Sequence, residues 1–411
     1  MAPDDALQPS LPLRRLGRYE LRAKIADGGM AEVHVARRLD GPHAGEIVAI
    51  KTIREEFARN REFLTMFLDE AQLVARLRHP NVLRTYELGE AGGELFLAME
   101  LLFGQSLWSV WEACRARRVR LRYPMIAWIG ARAAEGLHYA HELRDEHGAP
   151  LEIIHRDVNA TNLFVTYEGA VKVIDFGLAK AANRASKTAA GVIKGKVAYM
   201  SPEQAVGATI DRRTDVFALG TTLWELACDR RLFKRSDDVD TLRRVHAAEV
   251  PDPTCLVDGF PPALWSVLQR ALARDPSERY ATAADLARDL DALFPGARAD
   301  AASVAAVMRQ LFGEDHRRQM AWVAEVSGPE HPRASATGSM KARSTFWTSN
   351  DPLATVPPPR PLAPSTPGGA FPSPRAPPPS RRRPDARSLI AVAIGTAVVI
   401  AVLVVGVLAY R

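Results

Sequence analysis

The spacing of apolar and polar residues divides the chain into a strand-rich part and a helix-rich part. Alternating runs predict five strands, at residues 19–24, 31–38, 47–53, 84–88 and 95–101. Beyond residue 107 the apolar positions recur at helical spacing, which predicts helices at 125–143, 214–228, 262–272 and 283–293. The pattern therefore predicts an α+β fold with a small β-rich lobe followed by a larger helical lobe.

Two charged residues stand on predicted apolar surfaces. Residues 62–77 form one predicted helix whose apolar side chains share a face with Glu70. The apolar strand Val48-Ala49-Ile50-Lys51 ends in a lysine. Because a buried charge is costly without a partner, each of these residues predicts an oppositely charged neighbour.

Three oxygen-bearing side chains lie in two short strings. Asp157 and Asn162 belong to His155-Arg156-Asp157-Val158-Asn159-Ala160-Thr161-Asn162, and Asp175 begins Asp175-Phe176-Gly177. A carboxylate can orient an attacking hydroxyl, and carboxylate and amide oxygens suit Mg²⁺. The two strings resemble the catalytic and metal-holding loops of the eukaryotic-like Ser/Thr protein kinases found in bacteria.

The resemblance extends from about residue 18 to about residue 294 in family order. Ser201-Pro202-Glu203 stands at the family's Ala-Pro-Glu string, and Asp215-Val216-Phe217-Ala218-Leu219-Gly220 resembles the helix that anchors the catalytic loop. Arg279 stands where the family has the partner of Glu203. The resemblance implies a two-lobed kinase fold, ATP with Mg²⁺ (Mn²⁺ as an alternative) and protein hydroxyls as acceptors.

The resemblance also implies roles for residues of the cleft. Asp157 would be the catalytic carboxylate, Lys51 would contact the α/β-phosphates, and Glu70 would pair with Lys51. Asn162 and Asp175 would hold the metal ion. Met99 would guard a back pocket, and the backbone of Glu100 and Leu102 would pair with adenine. The implied nucleotide contacts, each of which could equally be an ordinary core residue, are Ile25, Ala26, Gly28, Gly29, Val33, Ala49, Lys51, Met99, Glu100, Leu102 and Phe164.

The chain departs from the family at three places. The loop Ala26-Asp27-Gly28-Gly29-Met30-Ala31-Glu32-Val33 keeps only the middle glycine of the family's three, so we expect weaker or slower ATP handling. Asn159 stands where Ser/Thr kinases usually have a lysine that reaches the γ-phosphate, and Lys196 stands where they have a threonine. One hypothesis is that Lys196 supplies the lost charge from the other side of the cleft. The alternative is a solvated lysine in a mobile loop.

The resemblance at residues 155–162 also implies a regulatory arginine, Arg156. In the family, an arginine at the position of Arg156 pairs with a phosphorylated residue of the activation segment. Ser186 and Thr188 are the best-placed acceptors, so we expect autophosphorylation at one or both.

Charge, cysteine content and arginine content indicate the cellular compartment and the origin of the protein. From residue 331 onward there are ten Lys/Arg against two Asp/Glu, whereas residues 1–330 have 44 against 46, so the basic character belongs to the tail. Cys114, Cys228 and Cys255 fit neither a disulfide framework nor a metal cluster, which predicts inert thiols in or near the core. No secretory signal is visible at the start of the chain, which predicts a kinase in the cytoplasm. Arginine outnumbers lysine, which favours a bacterial origin. No motif typical of nucleic-acid readers is present.

The residues after the kinase-like part predict three further segments. Helical spacing over 303–323 predicts a helix packed on the large lobe within an extension of 295–327. Residues 328–388 are rich in Pro, Ser and Ala, which favours a disordered stalk over a partner-binding proline motif. Residues 389–409 are uncharged and apolar, and 21 residues reach about 31 Å, so we expect a transmembrane helix rather than a core helix.

The expected organisation is an N-terminal extension at 1–17, a kinase domain at 18–294, the extension, the stalk, the membrane helix and a short end at 410–411. Arg381, Arg382, Arg383 and Arg387 precede the membrane helix, which predicts a cytoplasmic flank that touches anionic lipid. A membrane-tethered pseudokinase that binds nucleotide is the alternative, and a small-molecule kinase is a third. A homodimer stays open.

Overall fold

The small lobe is built on one antiparallel sheet. The computed structural model describes residues 14–27, 31–54, 57, 61–176 and 196–328. Six strands lie in the order β1-β2-β3-β4-β6-β5. Their bounds are β1 Arg14–Leu16, β2 Tyr19–Asp27, β3 Ala31–Arg38, β4 Ile47–Ile53, β5 Thr85–Ala91 and β6 Glu94–Glu100. The five predicted strands are confirmed, and β1 adds a strand from within the predicted N-terminal extension.

Helix α1, Arg61–Val74, lies between β4 and β5 in the chain and packs on the small lobe through Phe67 and Ala71. The helix was predicted to extend to residue 77, but it ends at Val74, so the prediction was wrong for the last three residues. Arg76 and Leu77 donate their N–H groups to carbonyls three residues back. Leu77 is fully buried in the core of the large lobe, so tertiary packing ends the helix before the helical pattern does.

The large lobe has a helical core with a small sheet at its top. The sheet has three antiparallel strands, β7 Gly104–Ser106, β8 Leu163–Thr166 and β9 Val171–Val173. The helices of this lobe are α2 Leu107–Ala116, α3 Tyr123–His141, α4 Pro202–Ala205, α5 Arg213–Cys228, α6 Asp238–Ala247, α7 Pro262–Ala271 and α8 Ala283–Ala292. Helix α5 is buried on all sides from Thr214 to Cys228, as expected of a helix at the centre of a core.

Two of the three cysteines are in the core, and the third is not. Cys114 and Cys228 are buried, and burial raises the pKa of the Cys114 thiol to about 11, which keeps it protonated. Cys255 is exposed, in the short 3₁₀ turn Pro253–Cys255. The prediction of a core thiol was therefore wrong at Cys255, because a widely spaced cysteine carries no burial signal of its own.

Helix α9, Ala301–Ser327, follows the kinase-like part and is longer than the predicted 303–323. Asp300 Oδ1 accepts the Ser303 backbone N–H, and Ser303 Oγ accepts the Asp300 backbone N–H, so the two residues form a capping box. In the part of the chain that the structure describes, no helix is both long and apolar enough to span a bilayer. Residues 329–388 of the predicted stalk and the predicted membrane helix at 389–409 lie outside the described residues.

Candidate active site

A buried carboxylate on α5 holds the loop that carries Asp157. Asp215 is completely buried and accepts the backbone N–H of His155 and of Arg156, each at 2.8 Å. The Nε2 of His141 lies 2.8 Å from the same carboxylate. Burial would raise the pKa of Asp215, but the His141 contact and the backbone donors outweigh it and hold the pKa below its usual value. The ionised carboxylate thus fixes the backbone immediately before Asp157.

Two residues of the site have positive φ without being glycine. Arg156 has φ 68° and Asp175 has φ 58°. This region is unfavourable for residues with a side chain and persists only where neighbours impose it. Two neighbours impose it at Arg156. Asp215 accepts the Arg156 backbone N–H, and Gln204 Nε2 donates to the Arg156 carbonyl at 3.2 Å.

Amide groups hold both oxygens of the Asp157 carboxylate. Asn159 Nδ2 donates to Oδ1 at 3.1 Å, and Asn162 Nδ2 donates to Oδ2 at 3.0 Å. Both amides also donate to the Asp157 carbonyl, at 2.9 and 2.8 Å. The carboxylate is therefore oriented from two sides.

Asn159 has a role that the sequence argument missed. It was treated as the absence of a lysine, yet it is 2% exposed and forms part of the frame around Asp157. Its Oδ1 accepts from the Thr161 backbone N–H at 2.8 Å and from the Thr161 hydroxyl at 2.5 Å, which closes an Asx turn. The Asn-x-Thr spacing was a visible signal for this turn.

Lys51 contacts Asp175 across the cleft. Its Nζ lies 2.6 Å from Asp175 Oδ1, which joins β4 of the small lobe to the loop after β9. The predicted partner Glu70 lies in α1, but its side chain is outside what the structure describes. A cavity of about 20 Å³, room for about one water, lies beside this pair. Met99 lines that cavity, at the position from which it was expected to guard a back pocket.

The strand register brings the expected nucleotide-contact residues of the small lobe together. Ala26 lies opposite Val33, Val33 opposite Lys51, and Ala49 opposite Met99. Ile25 and Ala26 are each 4% exposed. Phe164, another expected nucleotide contact, is 1% exposed and lies on β8 of the large lobe.

The hinge between the lobes begins at Glu100. Its backbone N–H donates to the Arg84 carbonyl at 2.9 Å, so a purine would have to use the Glu100 carbonyl. Its side chain accepts from Lys172 Nζ at 2.7 Å. Leu102 is 5% exposed. Gly28 and Gly29, expected above the phosphates, lie outside the described residues.

The oxygen-bearing groups fit a hard divalent cation. Asn162 uses its amide nitrogen towards Asp157, which turns its carbonyl oxygen, the atom that Mg²⁺ prefers, away from that contact. Asp175 supplies a carboxylate beside Lys51. No cluster of three or more His, Cys, Asp or Glu occurs within the described ranges.

Glu203 and Arg279 form a bidentate ion pair in the large lobe. Both guanidinium nitrogens lie 2.8 Å from the two carboxylate oxygens, and Arg279 is 2% exposed. The Thr214 hydroxyl donates to the same carboxylate at 2.9 Å. Burial opposes ionisation, but the Arg279 hydrogen bonds lower the pKa of Glu203 below its usual 4.5. The pair ties the segment after Tyr199 to the loop before α8.

A second acidic residue of α5 was missed. Glu225 is 1% exposed and accepts the Tyr199 hydroxyl at 2.8 Å, Arg231 Nε at 3.1 Å and the Leu232 N–H at 2.8 Å. Burial raises its pKa despite these partners. The argument that identified Glu70, a carboxylate on an apolar helix, applies equally to Glu225 and would have found it.

The residues expected to regulate the site are only partly within the described chain. Arg156 is half-buried, and no acceptor for its Nε occurs among the described residues. Ser186 and Thr188 lie outside those residues. Lys196 begins the 3₁₀ turn Lys196–Tyr199, and its side chain is not described.

Replacing Glu203 should give a destabilisation that depends on pH. The folded-state pKa is lowered, so the pair stabilises the fold above pH 4.5 and loses its effect as pH falls through the folded-state value. Chemical unfolding of Glu203→Gln at pH 7 should show a loss of about 3 kcal/mol, with a smaller loss at pH 4. A loss that stays constant or grows as pH falls would contradict the assignment.

The matched control is Glu249→Gln. Glu249 is exposed and lies 3.4 Å from Arg244. A surface pair of this kind contributes about 0.5 kcal/mol, so the control should change stability little at either pH.

Comparison with known proteins places this geometry in a family. The protein kinase domain matches residues 19–289. The chain is 39% identical over 305 residues to the tyrosine-protein kinase MasK of Myxococcus xanthus, covering 74% of this chain and 47% of MasK. It is 34% identical over 278 residues to the serine/threonine-protein kinase PknL of Mycobacterium tuberculosis, covering 67% of this chain and 65% of PknL.

A third relative is similar in sequence, and a solved structure is similar in fold. The chain is 36% identical over 296 residues to the serine/threonine-protein kinase PknB of Mycolicibacterium smegmatis, covering 70% of this chain and 44% of PknB. The fold matches the crystal structure of the PknI kinase domain of Mycobacterium tuberculosis with a TM-score of 0.52 at 24% identity, over 68% of this chain and 98% of that domain. The chain spans less than two thirds of the length of each of the three relatives. On the domain match and these identities, the chain belongs to the protein kinase family.

Proposed function

We propose that this chain transfers the γ-phosphoryl group of ATP to serine and threonine hydroxyls of proteins, and that it does so at the cytoplasmic face of a membrane. The observation that carries the proposal is the Asp157 carboxylate, held through both oxygens by Asn159 and Asn162. A carboxylate fixed in this way can accept a hydrogen bond from an acceptor hydroxyl and take its proton as the phosphoryl group moves.

The remaining groups suit the donor side of the reaction. Bound Mg²⁺ would neutralise charge on the phosphates, with Asn162 and Asp175 as its protein ligands. Lys51 Nζ lies 2.6 Å from Asp175 Oδ1, so the lysine that would contact the phosphates lies beside a carboxylate that would hold the ion. Asn159 cannot supply the cation that a lysine would, so the proposal assigns that charge to Lys196.

Regulation by autophosphorylation forms part of the proposal. Arg156 is held in a left-handed backbone conformation next to Asp157, and Ser186 and Thr188 lie in the segment that follows Asp175 in the chain. A phosphate on that segment would give the half-buried guanidinium a strong acceptor.

The acceptor could instead be tyrosine. MasK, at 39% identity, is named a tyrosine kinase, whereas PknL and PknB are named serine/threonine kinases. The two candidates share the donor site and differ only in the hydroxyl that enters it.

A transfer assay tests the proposed reaction. Full-length protein in detergent, given ATP labelled at the γ-phosphate and Mg²⁺, should label itself and a basic protein substrate on serine and threonine. Asp157→Asn and Lys51→Met should each lower the rate about a hundredfold or more, and Lys196→Met about tenfold. Asp258→Asn, at an exposed position, should label at the parent rate.

Three outcomes would change the assignment. Label on tyrosine alone would replace the proposed acceptor with the second candidate. Nucleotide binding without transfer by the parent would favour a pseudokinase. Full activity of Lys196→Met would remove Lys196 from the mechanism.

Membrane tethering rests on the sequence of the tail. Residues 389–409 are uncharged and apolar, and four arginines at 381, 382, 383 and 387 precede them. Deleting residues 389–411 should move the protein from the membrane fraction, where it should resist alkaline carbonate, to the soluble fraction. Intact protein that washes off with carbonate would refute the anchor, and a protease-protected kinase domain in right-side-out vesicles would support its cytoplasmic side.

A further inference from the structure

Helix α9 begins in the core of the large lobe. Val304, Met308 and Leu311 from its first turns belong to the large-lobe core. The Leu311 carbonyl accepts from Arg117 Nη2 of the large lobe at 2.7 Å. His316 stacks on Tyr167 with the ring centroids 4.3 Å apart. The first half of the helix is therefore an integral part of that lobe.

The helix bends at its middle. Phe312 has φ −135° and ψ 19°, outside the helical range, and Gly313 follows it. The 27 residues reach about 40 Å at 1.5 Å each, enough to pass from one lobe to the other. The second half of the helix therefore runs in a different direction from the first half.

The last turns of α9 pack on the small lobe. Val326 is 4% exposed and forms one apolar cluster with Ile25 of β2 and Val35 of β3. Trp322, one turn earlier, packs against the same cluster. Arg22 Nη1 lies 3.5 Å from the carbonyl of Gly328, just beyond the helix. We call residues 322–328 the strap.

The strap lies on the face of the sheet that looks into the cleft. Val35 is directly opposite Ala49, and Val33, which borders the cluster, is opposite Lys51. Residues opposite one another share a face, and Lys51 reaches Asp175 of the large lobe from that face. The other face of the sheet has its own core, which includes Ala36, Val48 and Ile50.

The cluster also reaches the start of the hinge. Leu101 borders it together with Ala23 and Ile47. Ile25 and Val33 are among the expected nucleotide contacts, and Val326 belongs to the cluster that contains Ile25 and packs against Val33. The strap comes from outside residues 19–289, the part that matches the protein kinase domain.

We infer that the strap forms the outer wall of the nucleotide cleft and that Val326 is a positioning residue for ATP, acting through Ile25 and Val33. The inference rests on the proposed use of ATP. It predicts that nucleotide affinity depends on a helix beyond the kinase domain, while the chemistry at Asp157 does not.

The test compares three variants of the full-length protein in detergent. Val326→Asp puts a charge into the apolar cluster, Val326→Ile keeps the contact apolar, and Met320→Asp puts the same charge on α9 at a residue 48% exposed. Titration with fluorescent N-methylanthraniloyl-ATP gives the dissociation constant. Steady-state kinetics give KM for ATP and kcat.

Val326→Asp should weaken binding and raise KM about tenfold, with kcat at saturating ATP within about twofold of the parent. Val326→Ile should recover affinity to within about threefold of the parent, and Met320→Asp should match it. Far-UV circular dichroism and thermal unfolding check that each variant is folded. Should Val326→Asp fail to fold, Val326→Ala and Trp322→Ala should raise KM in the same direction by a smaller factor.

Unchanged or tighter nucleotide binding by folded Val326→Asp or Val326→Ala would overturn the inference, as would a fall in their kcat with KM unchanged. Failure of the parent itself to bind nucleotide would instead overturn the proposed function. The two failures are thus distinguished by the parent protein.

Discussion

The active site depends on one buried carboxylate. Asp215 lies at the centre of the large lobe, and its two oxygens take the N–H groups of His155 and Arg156 and the contact from His141. A buried charge of this kind is tolerated because donors surround it. Its consequence is geometric: the backbone before Asp157 cannot move without leaving a buried ion unpaired.

Helix α5 carries a second buried carboxylate with a different balance. Burial favours the neutral acid at both Asp215 and Glu225, yet the pKa of Asp215 is lowered while that of Glu225 is raised. At Asp215 the hydrogen bonds outweigh burial, whereas at Glu225 burial outweighs Arg231 and its other donors. One helix thereby anchors two segments, the catalytic loop through Asp215 and the Tyr199 segment through Glu225.

Sequence patterns predicted the secondary structure well wherever a local period decides it. The strands and long helices follow from alternation and helical spacing, and Glu203 and Arg279 meet as the resemblance implied. Patterns failed where distant packing decides. Leu77 continues a helical pattern but belongs to the other lobe. Helix α9 packs on the large lobe through Val304, Met308 and Leu311, as expected, but the pattern did not predict that Val326 would reach the small lobe.

Motif order names candidate residues for the site but not the contacts between them. Motif order identified Asp157, Asn162, Asp175 and Lys51, but not that Asn159 would bind Asp157, because the family comparison emphasised the missing lysine. Contacts between side chains far apart in sequence, such as Lys51 with Asp175, require the relative position of the lobes, which no local pattern contains.

The most direct test of this account is the rate of a single phosphoryl transfer in Asp215→Asn, measured with its affinity for ATP. The two backbone N–H groups bind different oxygens of Asp215, so an asparagine in the same position would present an NH₂ group to one of them. We expect a transfer rate lower by about a hundredfold or more, with ATP affinity within about threefold of the parent. A folded Asp215→Asn protein that transfers at nearly the parent rate would contradict it.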